Sequence, residues 1–426
     1  MTWRGFQAAH FFSRVVPGLT QLQWRMPMNT PEWTRQPVHV LYGGAHLFKP
    51  GTCAKLGELA RGAVAKYAPD ADTLAGALGL PHATAEAVYA RVAAKLDREP
   101  VEDFRIDFED GFGVRPDEEE DAAATAAGRA TAEALDNGGL PAFFGIRVKP
   151  LTEEFSGRGL RTLHLYLVAL GGRLPPNFLV TLPKVTHAGQ VRELAEALAP
   201  HPRAAIEIMV ETPQAIFILP QLVAAAGGRC VAAHFGAYDY TASLGITAAH
   251  QSILHPACDF ARSMMQTTLA GTGVRLADGA TNVLPLEPHR GSDLTAAQRD
   301  ENRTAIHAAW KLHYTQILHS LYNGFYQGWD LHPAQLPARY AAVYSFFLEG
   351  MEEQSERLRN FVAAAARSTE IRGIFDDAAS GQGLLNSFLR ALDCGAIREE
   401  EAPGLTGLTL EELRTGSFVK IVKMRS

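Results

Sequence analysis

The sequence predicts an α/β fold, a (β/α)8 TIM barrel with a helical insertion after the first strand and a C-terminal helical extension. Three observations carry this prediction. Short runs rich in β-branched and aromatic residues recur along most of the chain, segments of helical periodicity separate them, and polar residues gather where the runs end. Alternating strands and helices mean a parallel sheet joined by crossovers, and eight such units close into a barrel.

The predicted strands are, in order, "VHVLY" (38–42), "DFRIDF" (103–108), "AFFGIRV" (142–148), "NFLVTL" (177–182), "AAIEIMV" (204–210), "VAAHFG" (231–236), "VRLAD" (274–278) and "YQGWDL" (326–331). Between them, segments such as "AGQVRELAEALA" and "RTAIHAAWKLHYTQILHSLY" repeat apolar residues at helical spacing. Residues 66–100 read as a polar helical insertion, either a flap or interface or a surface decoration. "DEEED" (117–121) reads as a helix start with negative charge at its N-terminus. The expected organisation is an extension over 1–36, the barrel over 37–345 and a helical lid or oligomerisation segment over 346–426. Residues 1–36 carry Arg4, Arg14 and Arg25 ahead of the first acidic residue, Glu32. They read either as a basic transit-like leader or as a start placed upstream of Met26 or Met28.

Composition narrows the class. A formal charge of −6 and no basic stripe argue against a nucleic-acid partner. No run reaches the roughly 18 apolar residues of a membrane span. Cys53, Cys230, Cys258 and Cys394 form no CxxC pair, so reduced thiols of a cytoplasmic enzyme are the simplest reading. His250, His255 and Cys258 in "HQSILHPAC" lack a matching ligand set for zinc and read as a loop and helix cap.

The strand ends define the candidate site. The second strand runs into Asp107, Glu109 and Asp110, the third ends on Arg147 and Lys149, and Lys184 closes the fourth. The fifth delivers Glu211 just before Thr212 and Pro213, the sixth leads to Asp239, the seventh ends on Asp278, and the eighth reaches Asp330 and His332. In a barrel these ends converge on one mouth, where catalytic residues lie. Taken singly, each also fits a solvated loop or a structural ion pair. Glu211 and Asp239 end consecutive strands, which lie about 4.8 Å apart in a sheet. The pair can therefore hold one divalent cation, Mg2+ or Mn2+, completed by water and substrate oxygens. A lysine ending a barrel strand also fits a Schiff-base nucleophile, which keeps Lys184 open as a catalytic group.

These motifs carry a resemblance. "RIDFEDGFG" resembles the D-L-E-D-A-V signature of the citrate lyase beta-subunit and malyl-CoA lyase family, of the phosphoenolpyruvate/pyruvate barrel superfamily. "GIRVKPL" is similar to its arginine strand, "LPKV" to its proline-lysine strand and "IEIMVETPQAI" to its metal-glutamate strand. "FGAYDYTASLG" looks like its metal-aspartate strand, and "GWDLHPAQL" like its closing H-P-x-Q element. The resemblance implies Glu211 and Asp239 as Mg2+ ligands and Arg147 at the substrate's carboxylate or enolate oxygen. It implies Glu109 and Asp110 as acceptors for metal-bound water or as proton-transfer groups, Lys184 lining the mouth, and Asp107, Asp278 and His332 toward substrate. The implied activity is a Mg-dependent carbon–carbon lyase or aldolase working through an enolate on a small 2-keto acid or short acyl-CoA, with a coenzyme A thioester as a possible substrate. The implied assembly is a homo-oligomer, trimer or hexamer, without nucleic-acid or membrane partners. Asp110 stands where the pyruvate aldolase branch has a histidine, which favours the citrate lyase and malyl-CoA lyase branch. "LYGGAHLFKP" replaces the family's proline-glycine loop, so a substrate role for His46 or Lys49 lacks support. Other readings are a phosphoenolpyruvate-utilising phosphotransferase, Schiff-base chemistry at Lys184, and a non-catalytic subunit that binds metal and keto acid.

Overall fold

The computed structural model describes residues 35–367 and 378–425. The reading of residues 1–34 as an extension lies outside the described residues. Arg35 and Gln36 are tied to the barrel: Arg35 donates to Glu99 at 2.8 Å, and Gln36 donates to the Leu276 carbonyl at 3.0 Å.

The strands are β1 (His39–Gly44), β2 (Asp103–Asp107), β3 (Phe143–Arg147), β4 (Phe178–Leu182), β5 (Ala205–Val210), β6 (Cys230–Phe235), β7 (Arg275–Ala280) and β8 (Gln327–Asp330). They pair in sequence order, and β8 returns to β1 in parallel with Val40 opposite Trp329, closing a (β/α)8 barrel. All eight predicted strands are present. The acidic run is the first turn of helix Asp117–Asp136, where carboxylates complement the helix dipole. His255 caps helix Pro256–Leu269 by accepting from the Ala257 N–H, as the cap reading expected. The 66–100 region forms helices Ala71–Leu78 and His82–Arg98.

Side chains alternate between the two faces of each strand. Outward residues such as Phe104, Ile106, Phe144, Val180 and Ile208 are buried beneath the helices. The inward face is unusual, because TIM-barrel interiors are mostly branched apolar side chains. Here Arg105 pairs with Asp103 and lies 3.6 Å from Glu207. Thr181 donates to Glu207 at 2.6 Å, and Gln327 donates to Asp103 at 3.3 Å. Buried ions survive such desolvation only when paired, and each of these has a partner on another strand or two residues away.

Beyond β8, helix Leu336–Leu348 packs back on the barrel and the chain continues through helices Met351–Arg367, Ala378–Cys394, Ala402–Thr406, Leu410–Arg414 and Phe418–Arg425. Arg91 of the inserted helix His82–Arg98 donates to the Ala396 carbonyl at 2.8 Å and meets Glu401 at 3.1 Å. Arg390 donates to Gln36 at 3.2 Å and stacks on Tyr326, which precedes β8. Gln36 precedes β1 and Tyr326 precedes β8, so Arg390 sits at the end where the strands begin. No helix among the described residues is long and apolar enough to cross a membrane.

Candidate functional site

At the end of β2 the chain turns sharply around one carboxylate. Asp107 accepts from the Glu109 N–H at 2.9 Å and the Gly111 N–H at 2.7 Å. A Cβ at position 111 would meet Asp107 Oδ2 at 2.6 Å, so the turn requires glycine there. The same carboxylate takes both Nε (2.7 Å) and Nη2 (2.5 Å) of Arg147 from β3, a buried fork-on-fork pair. Every Asp107 oxygen is thereby engaged. Asp107 thereby aims the arginine.

The remaining corner of Arg147 faces the mouth. Nη1 lies 3.0 Å from Glu109 and 3.6 Å from Asp110, with Met209 Sδ at 3.7 Å. Glu109 also accepts from the Lys184 ammonium, which lies 3.5 Å from Asp110. Burial pushes the Glu109 carboxyl above its ordinary value, against the pull of Arg147 and Lys184. Asp110, largely exposed, is held below the usual range: burial works upward, and Arg147, the hydrogen bond with Glu109 and Lys184 together outweigh it. Burial thus moves Glu109 up while its neighbour Asp110 is held down.

Lys184 has φ of +51°, a left-handed conformation that a side chain with a Cβ adopts only under constraint. The conformation turns its N–H onto Glu211 Oε1 at 2.5 Å. Burial lowers the Lys184 ammonium pKa, but Glu109, Glu211 and Asp239 raise it more, and it stays well above its ordinary value. Glu211, 1% exposed at the end of β5, is pushed up to about 8 by burial and by the charge of Asp239, against Lys184 and Arg147. Asp239 lies in the first turn of helix Ala237–Ser243. A Cβ at Gly236 would meet both Cβ and Oε2 of Glu211 at 2.5 Å, so the glycine after β6 makes room for this carboxylate.

The site therefore gathers Asp107, Glu109, Asp110, Arg147, Lys184, Glu211 and Asp239. Carboxylates outnumber cations, and the excess is concentrated at Glu211 and Asp239. A divalent cation fits that excess, because it offsets both the burial and the Asp239 charge that raise Glu211. Among the described residues no group of three or more His, Cys, Asp or Glu forms a protein-only cage, so water and substrate would complete the coordination.

Asp278 and His332 are not brought to this cluster. Asp278 falls on the outward parity of β7, where it is fully buried and accepts from Arg262 at 2.9 Å and Ser320 at 2.5 Å. Its position at a strand end suggested the mouth, but the alternation of faces decided otherwise. His332 caps the short turn Pro333–Gln335 and lines a separate cavity of about 420 Å3 with Lys55, Tyr67, Glu287 and Arg290. Lys149 is likewise occupied, 3.3 Å from Glu120 and donating to the Phe108 carbonyl. Sequence reasoning missed Tyr42, Met209 and Trp329, which surround Arg147. Counting two back from Glu211 would have found Met209, whereas Tyr42 and Trp329 come together only through the β1–β8 pairing, in which Val40 stands opposite Trp329.

Three comparisons place the chain among known proteins. No curated protein matches it. Among solved structures it is similar to the citrate lyase beta subunit of Mycobacterium tuberculosis complexed with oxaloacetate and magnesium, at 18% identity over 73% of this chain and 97% of that one, with a TM-score of 0.42. It is also similar to a pyruvate/acetyl-CoA ternary complex of Haloferax volcanii malate synthase, at 13% identity over 77% and 80% of the two chains, with a TM-score of 0.47. Residues 20–421 match the model of the family DUF6986, described as a domain of unknown function. The chain belongs to that family.

Proposed function

We propose that the chain is a divalent-cation-dependent carbon–carbon lyase or aldolase acting on a small 2-keto acid or a short acyl-CoA. The observation that carries this reading is the buried Glu211 carboxyl, raised to about 8 beside Asp239 and within the field of Arg147 and Lys184. Making or breaking a bond next to a carbonyl develops negative charge on oxygen, which preorganised positive charge stabilises. Mg2+ held by Glu211 and Asp239 would supply such charge when bound. Arg147, fixed by Asp107, presents Nη1 to a substrate carboxylate. Lys184 adds a second positive charge and keeps Glu109 in reach. Glu109, paired with Lys184 and Arg147, and Asp110, exposed beside it, are the carboxyls placed to move a proton between substrate and solvent.

A Schiff base at Lys184 requires a neutral amine, and the surrounding carboxylates stabilise the ammonium. Lys184 is therefore read as a fixed charge, and borohydride with a keto acid should leave no adduct on it. The proposal is tested by titrating Mg2+ into metal-free protein with and without oxaloacetate or pyruvate, for wild type and Glu211→Ala. Synergistic uptake that the variant loses is the expected result. Metal binding that survives Glu211→Ala, or never occurs, would sink the proposal.

A further inference from the structure

Arg147 has a second set of partners that the proposed chemistry leaves unused. Its Cζ lies 5.0 Å from the ring centre of Tyr42 and 5.4 Å from that of Trp329. The two rings are 4.6 Å apart and tilted by 40°. Three comparable distances make a compact triangle, so the guanidinium rides over the seam between the rings. Asp107 fixes the guanidinium within its own plane, and the rings oppose tilting out of it.

The rings are themselves anchored from deeper in the barrel. The Tyr42 hydroxyl lies 3.3 Å from Glu207 Oε2 and 3.3 Å from His234 Nδ1. His234 packs edge-on against Trp329 at 5.3 Å and 75°. Glu207 is held by Thr181 and by Arg105. A chain of contacts thus runs from the buried ions of the interior through the two rings to the guanidinium.

We propose that Tyr42 and Trp329 are positioning residues, which hold the guanidinium of Arg147 with Nη1 aimed at the mouth. The inference rests on the reading of Arg147 as the partner of a substrate carboxylate. Their effect then falls on keto-acid affinity and spares the cation, whose ligands Glu211 and Asp239 lie just after β5 and in helix Ala237–Ser243.

The test is titration of oxaloacetate into the full chain loaded with Mg2+, alongside Mg2+ alone. Trp329→Leu should weaken oxaloacetate binding on the order of tenfold and leave Mg2+ affinity within about twofold, the scale of a lost cation–π contact. Trp329→Phe should recover most of the loss. Tyr42→Phe, which keeps the ring and cuts its tie to Glu207, should lose about threefold. Wild-type oxaloacetate affinity in Trp329→Leu, or equal losses for cation and keto acid, would overturn the positioning role. Should Trp329→Leu fail to fold, Trp329→Phe and Tyr42→Phe decide, since wild-type affinity in both overturns the role and a keto-acid-only loss supports it. Arg147→Ala separates the two levels. If it too binds oxaloacetate normally, the reading of Arg147 fails; if it loses binding while the ring variants do not, the positioning role alone fails.

Discussion

At the scale of single residues, the buried carboxyl of Glu211 links function to stability. Its folded pKa of about 8 stands above its ordinary value of 4.5. The stability tied to its protonated form is fully present below the ordinary value and is lost as pH rises through about 8. Glu211→Gln should therefore raise the melting temperature of metal-free protein at pH 8 and change it little at pH 5. Mg2+ should stabilise wild type and leave the variant unmoved, and Mg2+ affinity in wild type should tighten with pH up to about 8, because binding displaces the proton. Calorimetric melts at the two pH values check all of this. Lys184 offers a cleaner comparison. Lys184→Gly and Lys184→Ala both remove the ammonium, but only glycine tolerates φ of +51° without cost. Glycine should be the more stable variant by about 1 kcal/mol in denaturant titration. The gathering of these residues in one cluster was legible in their positions after strands. The left-handed backbone was not, since nothing about lysine signals it.

At the scale of elements, two glycines and one aspartate set the geometry. Gly236→Ala would drive a methyl into Glu211 at 2.5 Å, so Mg2+ affinity should fall by at least tenfold while the barrel remains folded by circular dichroism. β8 is tied to the helices outside it by Asp330, which accepts from Arg339 at 2.7 Å and sits 2.9 Å from His313 and 3.2 Å from His39 of β1. Asp330→Asn leaves Arg339 buried without its anion, and should cost about 3–5 kcal/mol in denaturant unfolding. The strands themselves were readable because β-branched and aromatic runs alternate with helical periodicity, even for the weaker seventh and eighth. The facing of individual residues was less readable. Asp278, within β7, and Asp330, at the end of β8, were expected at the mouth as Glu211 was, yet parity turns both toward the helices.

At the scale of the whole molecule, the order of strands and the identity of the mouth followed from the sequence, and the filling of the barrel did not. Arg105, Glu207 and His234 stood inside runs that read as ordinary buried strands, and only closure of the barrel shows that they face one another. Glu207 is held well below the usual carboxylate range: burial works upward, and Arg105, with hydrogen bonds from His234 and Thr181, outweighs it. Glu207→Gln should leave Arg105 short of an anion and lower stability by about 3 kcal/mol, measured by the shift of the denaturant midpoint. A lumen built this way also constrains its own history. Where an apolar core accepts one changed methyl group at a time, a lumen of interlocked ions penalises every single replacement and tolerates compensated ones. Among descendants of a common ancestor, positions 105 and 207 should therefore change together or not at all, while the helix-facing shell drifts one residue at a time.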